Sequence, residues 1–82
     1  MSLKYIQHSV IGFVLWDRTD EMYHSHMAEA VNKRVGRGKI ISAGFASLHP
    51  EVKCYGMSES LNIRSTPECT ANLRKFLGVH DG

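Results

Sequence analysis

Four polar or glycine-rich segments of this chain hold the residue types that do chemistry: Tyr23-His24-Ser25-His26, Gly36-Arg37-Gly38-Lys39, Tyr55 to Ser60, and Ser65-Thr66. His24 lies beside an apolar helical stripe, where a neutral imidazole can take a proton from water, which makes it the candidate general base. The alternative is a boundary histidine held by a backbone carbonyl. Gly36-Arg37-Gly38-Lys39 sets two cations and two glycines between a helix end and a strand. Backbone N–H groups and charge from Arg37, Gly38 and Lys39 could meet a phosphoryl group there, or the segment is a capped helix end followed by a solvated basic turn. Ser58-Glu59-Ser60 follows a strand and a glycine, so its N–H groups lack ladder partners and the Ser58 and Ser60 hydroxyls can donate. Such a nest suits an anion, and a plain polar loop is the competing reading.

Other chemistries find less support. His24 and His26 are two positions apart and diverge by about 200° on a helix, and no histidine has a ligand-spaced partner, so neither a metal site nor a cofactor is expected. The glycine turn lacks Walker spacing, and no G-x-S-x-G elbow is present. Cys54 and Cys69 form no C-x-x-C pair and fall on apolar stripes, where cysteine behaves as a small core residue; a reducing, cytoplasmic setting is the simpler reading. Lys33, Arg34, Arg37 and Lys39 form the densest basic patch, but no aromatic residues alternate with them, so weak nucleic-acid binding through this patch is a secondary expectation only.

The elements that must position these groups are few. With 82 residues, 43% hydrophobic and 22% charged, the chain forms one small domain spanning 1–82, and any site must lie in a surface groove or loop. Ten lysines and arginines against eight carboxylates leave a formal charge of +2, too small an excess to imply a polyanion. The apolar run Val10 to Trp16 is far below the roughly 20 residues of a membrane span, and no leader pattern opens the chain, so a protein outside the membrane is expected.

Ser9 to Trp16 is β-branched and aromatic and reads as the first strand. Thr19 is a candidate N-cap, and Tyr23, Met27, Ala30, Val31 and Arg34 follow at helical spacing up to Gly36. Lys39 to Leu48 and Val52 to Met57 read as two antiparallel strands around the His49-Pro50 turn. Ser65 or Thr66 then caps a helix whose stripe is Cys69, Leu73, Phe76 and Leu77, ending at Gly78. The order β-α-β-β-α predicts an α+β domain with two helices on a small mixed sheet, and residues 1–8 and 79–82 are expected to be loose tails.

Taken in order, these segments resemble the small phosphohistidine phosphatases of the Janus/Ocnus family. The resemblance rests on Tyr23-His24 with Val31 seven residues on, the turn Gly36-Arg37-Gly38-Lys39-Ile40, the loop Tyr55-Gly56-Met57-Ser58, and Ser65-Thr66 opening the last helix. It covers about residues 10 to 77. It implies a metal-independent phosphohydrolase in which His24 is the base, Lys39 the phosphate cation, and Ser58 with the Ser60 N–H the oxyanion donors. Lys39 stands where the family has arginine, which removes bidentate geometry, and Gly12 falls near the family's first-strand lysine. The expected partner is therefore a phosphoryl group or similar anion, such as one on a protein histidine. The rival expectation is a non-enzymatic interaction module that dimerises through an edge strand.

Overall fold

A computed structural model describes residues 2–79. Two strands come first, β1 (Ser2–His8) and β2 (Gly12–Asp17), then helix α1 (His24–Val35) and strand β3 (Ile40–Ser47). Three short strands follow, β4 (Lys53–Tyr55), β5 (Met57–Ser58) and β6 (Ile63–Arg64), and helix α2 (Cys69–Leu77) closes the chain. The α+β class is as the sequence indicates, but the sheet is antiparallel throughout rather than mixed, in the order β2-β1-β3-β4, with β5 and β6 forming a separate hairpin.

Residues 2–8, expected as a loose tail, form a central strand paired on both sides. Their polar content hides the signal: Gln7 and His8 are buried, each held by a partner distant in sequence. Ser42 donates to Gln7 Oε1 at 2.7 Å, and His8 Nε2 lies 3.2 Å from Asn32 Oδ1. The run from Ser9 to Trp16 is not one strand but a tight turn followed by β2, because His8 pairs with Gly12. The tail positions 80–82 lie outside the described residues.

Alternation along β1 separates two cores. Tyr5 faces one side with Phe13, Ala46, Val52, Cys69 and Leu73, while its neighbour Ile6 faces the other with Ala28 and Ala43. Successive strand residues point to opposite faces, so α2 covers one face of the sheet and α1 the other. The β5–β6 hairpin also packs on the α1 face through Leu61 and Ile63.

Both helices start later than the sequence suggests. Asp17 accepts hydrogen bonds from the Thr19 N–H and hydroxyl, each at 2.8 Å, and Asp20 accepts from Met22 N–H at 2.8 Å. These local bonds compete with helix formation and turn 17–22 into a loop. Thr19 caps nothing; α1 begins at His24 after Tyr23, and its inward face is His24, Ala28, Met27 and Val31 rather than Tyr23 and Ala30. Ser65 and Thr66 likewise cap no helix by side chain, since α2 begins at Cys69, whose N–H donates to the Thr66 carbonyl at 3.1 Å. The C-terminal ends follow expectation, with Gly36 and Gly78 in left-handed conformation and Gly36 N–H donating to the Asn32 carbonyl at 2.8 Å.

Candidate functional site

The N-terminal end of α1 meets the sheet and the β5–β6 hairpin in a shallow groove of about 380 Å3, with Lys4, Tyr23, His24, Phe45, Glu59 and Ser60 on its wall. Lys4 projects from the α1 face of β1 and ties the preceding loop down, its Nζ donating to the Asp20 carbonyl at 2.8 Å and the Met22 carbonyl at 3.1 Å. Ser60 reaches across from the hairpin, and its Oγ accepts the Ser25 N–H at 3.2 Å. A residue far along the chain thus supplies the helix-end acceptor that Tyr23 lacks.

His24 is not at the boundary between core and solvent but buried, 6% exposed, edge-on to both Trp16 and Phe45. Its Nε2 lies 2.7 Å from the Gly44 carbonyl oxygen. A carbonyl can only accept, so Nε2 carries the hydrogen and the lone pair of the neutral ring is on Nδ1. The carbonyl-held histidine is the arrangement seen, and Nε2 is closed to base chemistry while that bond stands.

Burial pushes the His24 imidazole below its ordinary value of 6.5; the Gly44 hydrogen bond acts in the opposite direction, and the Lys4 charge adds to the lowering. The folded chain therefore holds fewer protons than the unfolded chain between the two values. Stability from the neutral ring is complete above pH 6.5 and is lost as pH falls through the folded value. Denaturation midpoints measured from neutral pH into this acid range are expected to fall in the parent and to fall less steeply in His24→Gln. Parallel slopes for the two proteins would contradict the assignment.

Ser58 is fully buried and paired with Ile63, so it is part of a hairpin and not of an open nest. Its Oγ accepts the Leu61 N–H at 3.2 Å and lies 3.4 Å from Ser60 Oγ. The hairpin escaped sequence reading because two-residue strands carry no detectable period.

The glycine turn lies at the other end of α1. His24 opens the twelve-residue helix α1, about 18 Å of axis, whose far end leads into the segment holding Arg37, Gly38 and Lys39. Lys39 N–H donates to Ser9 Oγ at 2.9 Å and its carbonyl accepts from Ser9 N–H at 2.9 Å, so its backbone latches the β1–β2 turn. Gly38 is packed against that turn: a Cβ there would meet His8, Ser9 and Val10 atoms at 2.7 Å. His24, Ser58 and Ser60 are thus brought together, and Arg37, Gly38 and Lys39 are not with them. Lys33, Arg34, Arg37 and Lys39 are all exposed around this second end.

Sequence reading missed Lys4, which only the strand identity of residues 2–8 places beside the helix start. It also missed the pairing of the cysteines: Cys54 and Cys69 are disulfide-bonded, joining β4 to the first turn of α2. No group of three or more metal-ligating side chains exists among the described residues, and no helix there is long and apolar enough to cross a membrane. No protein-family model, curated protein or solved structure matches the chain.

Proposed function

We propose that the chain is a small phosphoryl-binding domain that holds an anion in the groove at the start of α1. The observation that carries this reading is the placement of the Lys4 ammonium beside the N-terminal turn of α1, with the Ser60 hydroxyl across the groove. A cation, the positive end of a helix and a hydroxyl are complementary to a phosphoryl oxygen. The Janus/Ocnus resemblance supports a phosphoryl group as the anion. Turnover by His24 through Nε2 is not part of the proposal, because Nε2 is committed to Gly44. The Glu59 carboxylate on the same wall opposes an anion and limits its affinity.

Titration with inorganic phosphate and with phosphoramidate, followed by amide chemical shifts, tests the site. Shifts are expected at His24, Ser25, His26 and Ser60. Lys4→Gln is expected to weaken binding about tenfold and Glu59→Gln to strengthen it, as loss of a favourable and an unfavourable charge require. Shifts centred on Arg37 to Lys39 instead, or release of phosphate from phosphoramidate that His24→Ala abolishes, would overturn this reading.

A further inference from the structure

Cys54 and Cys69 lie away from the α1 groove, and their surroundings are unequal. Cys69 is fully buried in the first turn of α2. Cys54 is half-buried on β4, at the edge of the sheet, and lines a second open groove of about 500 Å3. That groove also carries Arg64, Ser65 and Thr66, and no carboxylate side chain lines it.

Around the buried sulfur lies a chain of hydroxyls. The Tyr5 hydroxyl is 3.0 Å from Cys69 Sγ and that of Ser42 is 3.7 Å away. Tyr5 donates to Ser65 Oγ at 2.9 Å and lies 3.2 Å from Ser42 Oγ, which in turn donates to Gln7 Oε1 at 2.7 Å. A disulfide sulfur has no hydrogen to donate and accepts weakly, so a structural crosslink makes little use of these groups. A thiol can donate to the Tyr5 oxygen, and a thiolate can accept from the Tyr5 and Ser42 hydroxyls as they rotate. Burial raises the Tyr5 phenol above its ordinary value and keeps it a donor. The helix start adds partial positive charge at the same sulfur.

We propose that the Cys54–Cys69 disulfide is a thiol–disulfide exchange site that takes two electrons from a small anionic thiol entering the groove beside Cys54. The incoming thiolate attacks Cys54 Sγ; a mixed disulfide forms there as the Cys54–Cys69 bond breaks, and its electron pair leaves on Cys69 as thiolate. A second thiolate attacks the small-molecule sulfur of the mixed disulfide, releasing the oxidised small disulfide and the Cys54 thiolate. The two protons lost by the small thiols end on Cys54 and Cys69. A leaving thiolate held by hydroxyls and a helix start departs faster, which assigns the attacked and leaving sulfurs.

The test is reduction of the native protein by reduced glutathione, quenched with acid and mapped by mass spectrometry. Reduction is expected without denaturant, at a rate proportional to glutathione concentration, with the transient adduct on Cys54. Cys69→Ser treated with oxidised glutathione is expected to accumulate that adduct. Tyr5→Phe keeps the ring packing and removes the nearer donor, and is expected to slow reduction about tenfold, the equivalent of one hydrogen bond to a charged group. Ser42→Ala is expected to act in the same direction and gives the same reading where Tyr5→Phe does not fold. A rate independent of glutathione concentration, an adduct on Cys69, or unchanged rates in the folded hydroxyl variants would overturn the proposal.

Discussion

Gly44→Ala is expected to destabilise the protein by about 3 kcal/mol, at the upper end of what overpacking a core costs. Gly44 is buried in the middle of β3, opposite Tyr5. A Cβ there would stand 2.6 Å from the Tyr55 carbonyl oxygen, 2.8 Å from Ser65 Oγ and 3.1 Å from the Gly56 carbonyl carbon. Two of those three atoms are backbone at the junction of β4 and β5, which a side-chain rotation cannot clear. Relief requires the β3 backbone or the Tyr55-Gly56 segment to move, and Gly44 also supplies the carbonyl that holds His24. Urea denaturation measures the loss, and the His24 ring resonances are expected to shift with it. A variant within 1 kcal/mol of the parent, with His24 unperturbed, would show that the sheet absorbs the methyl group cheaply, contrary to close packing.

The second large effect belongs to the disulfide. Cys54 and Cys69 are separated by 15 positions, and opening a loop of that length is expected to cost about 3 kcal/mol through the freedom restored to the unfolded chain. The whole stability of an 82-residue chain is about 4–12 kcal/mol, so this is a large share of it. The loss is expected to be uneven. The core around Ile6, Ala28 and Ala43 contains neither cysteine, whereas Cys69 is part of the core around Tyr5 and Leu73 that docks α2. Hydrogen exchange on Cys54→Ser/Cys69→Ser is therefore expected to quicken in β4 and α2 while the β1–β3 pairing stays protected. Equal denaturation midpoints for this variant and the oxidised parent would remove the stabilising role. Uniform loss of protection would show instead that the two faces of the sheet do not open separately.

These effects bear on how the candidate site is held. The α1 groove depends on a loop fastened by Lys4, on a helix end capped by Ser60 and on a histidine fixed by Gly44. Each contact joins residues at least 16 positions apart. A groove built this way follows the fold, so destabilising the β3 backbone is also a route to disordering the site.

Much of the element pattern is legible locally. β3 shows alternating apolar residues, α2 shows Cys69 and Leu73 at helical spacing, and both helix ends are marked by Gly36 and Gly78. These signals depend on nearest neighbours along the chain. β1 is harder to recognise because the residues that make it interior, Gln7 and His8, look like surface until Ser42 and Asn32 pair with them. The displaced start of α1 has the opposite cause: Asp17 and Asp20 satisfy nearby donors before a helix can use them. For the site, the histidine and the serines can be singled out by type, but the separation of His24 from Lys39 follows from the length of the one helix between them.

The sequence by itself determined an α+β class, the existence of β3, the two helix C-termini and the residue types available for chemistry, because periodicity and glycine conformation act over a few residues. The apolar run that reads as an interior strand supplies β2, which lies at the sheet edge. Only the tertiary structure decided that residues 2–8 form the middle of the sheet, that Cys54 meets Cys69, and that Lys4 and Ser60 join His24 while Arg37, Gly38 and Lys39 lie elsewhere. Those outcomes depend on which polar groups find partners across the chain. Burial of a polar group costs about 1–3 kcal/mol when it is unpaired and little when it is paired, and pairing over long separations is a property of the folded arrangement.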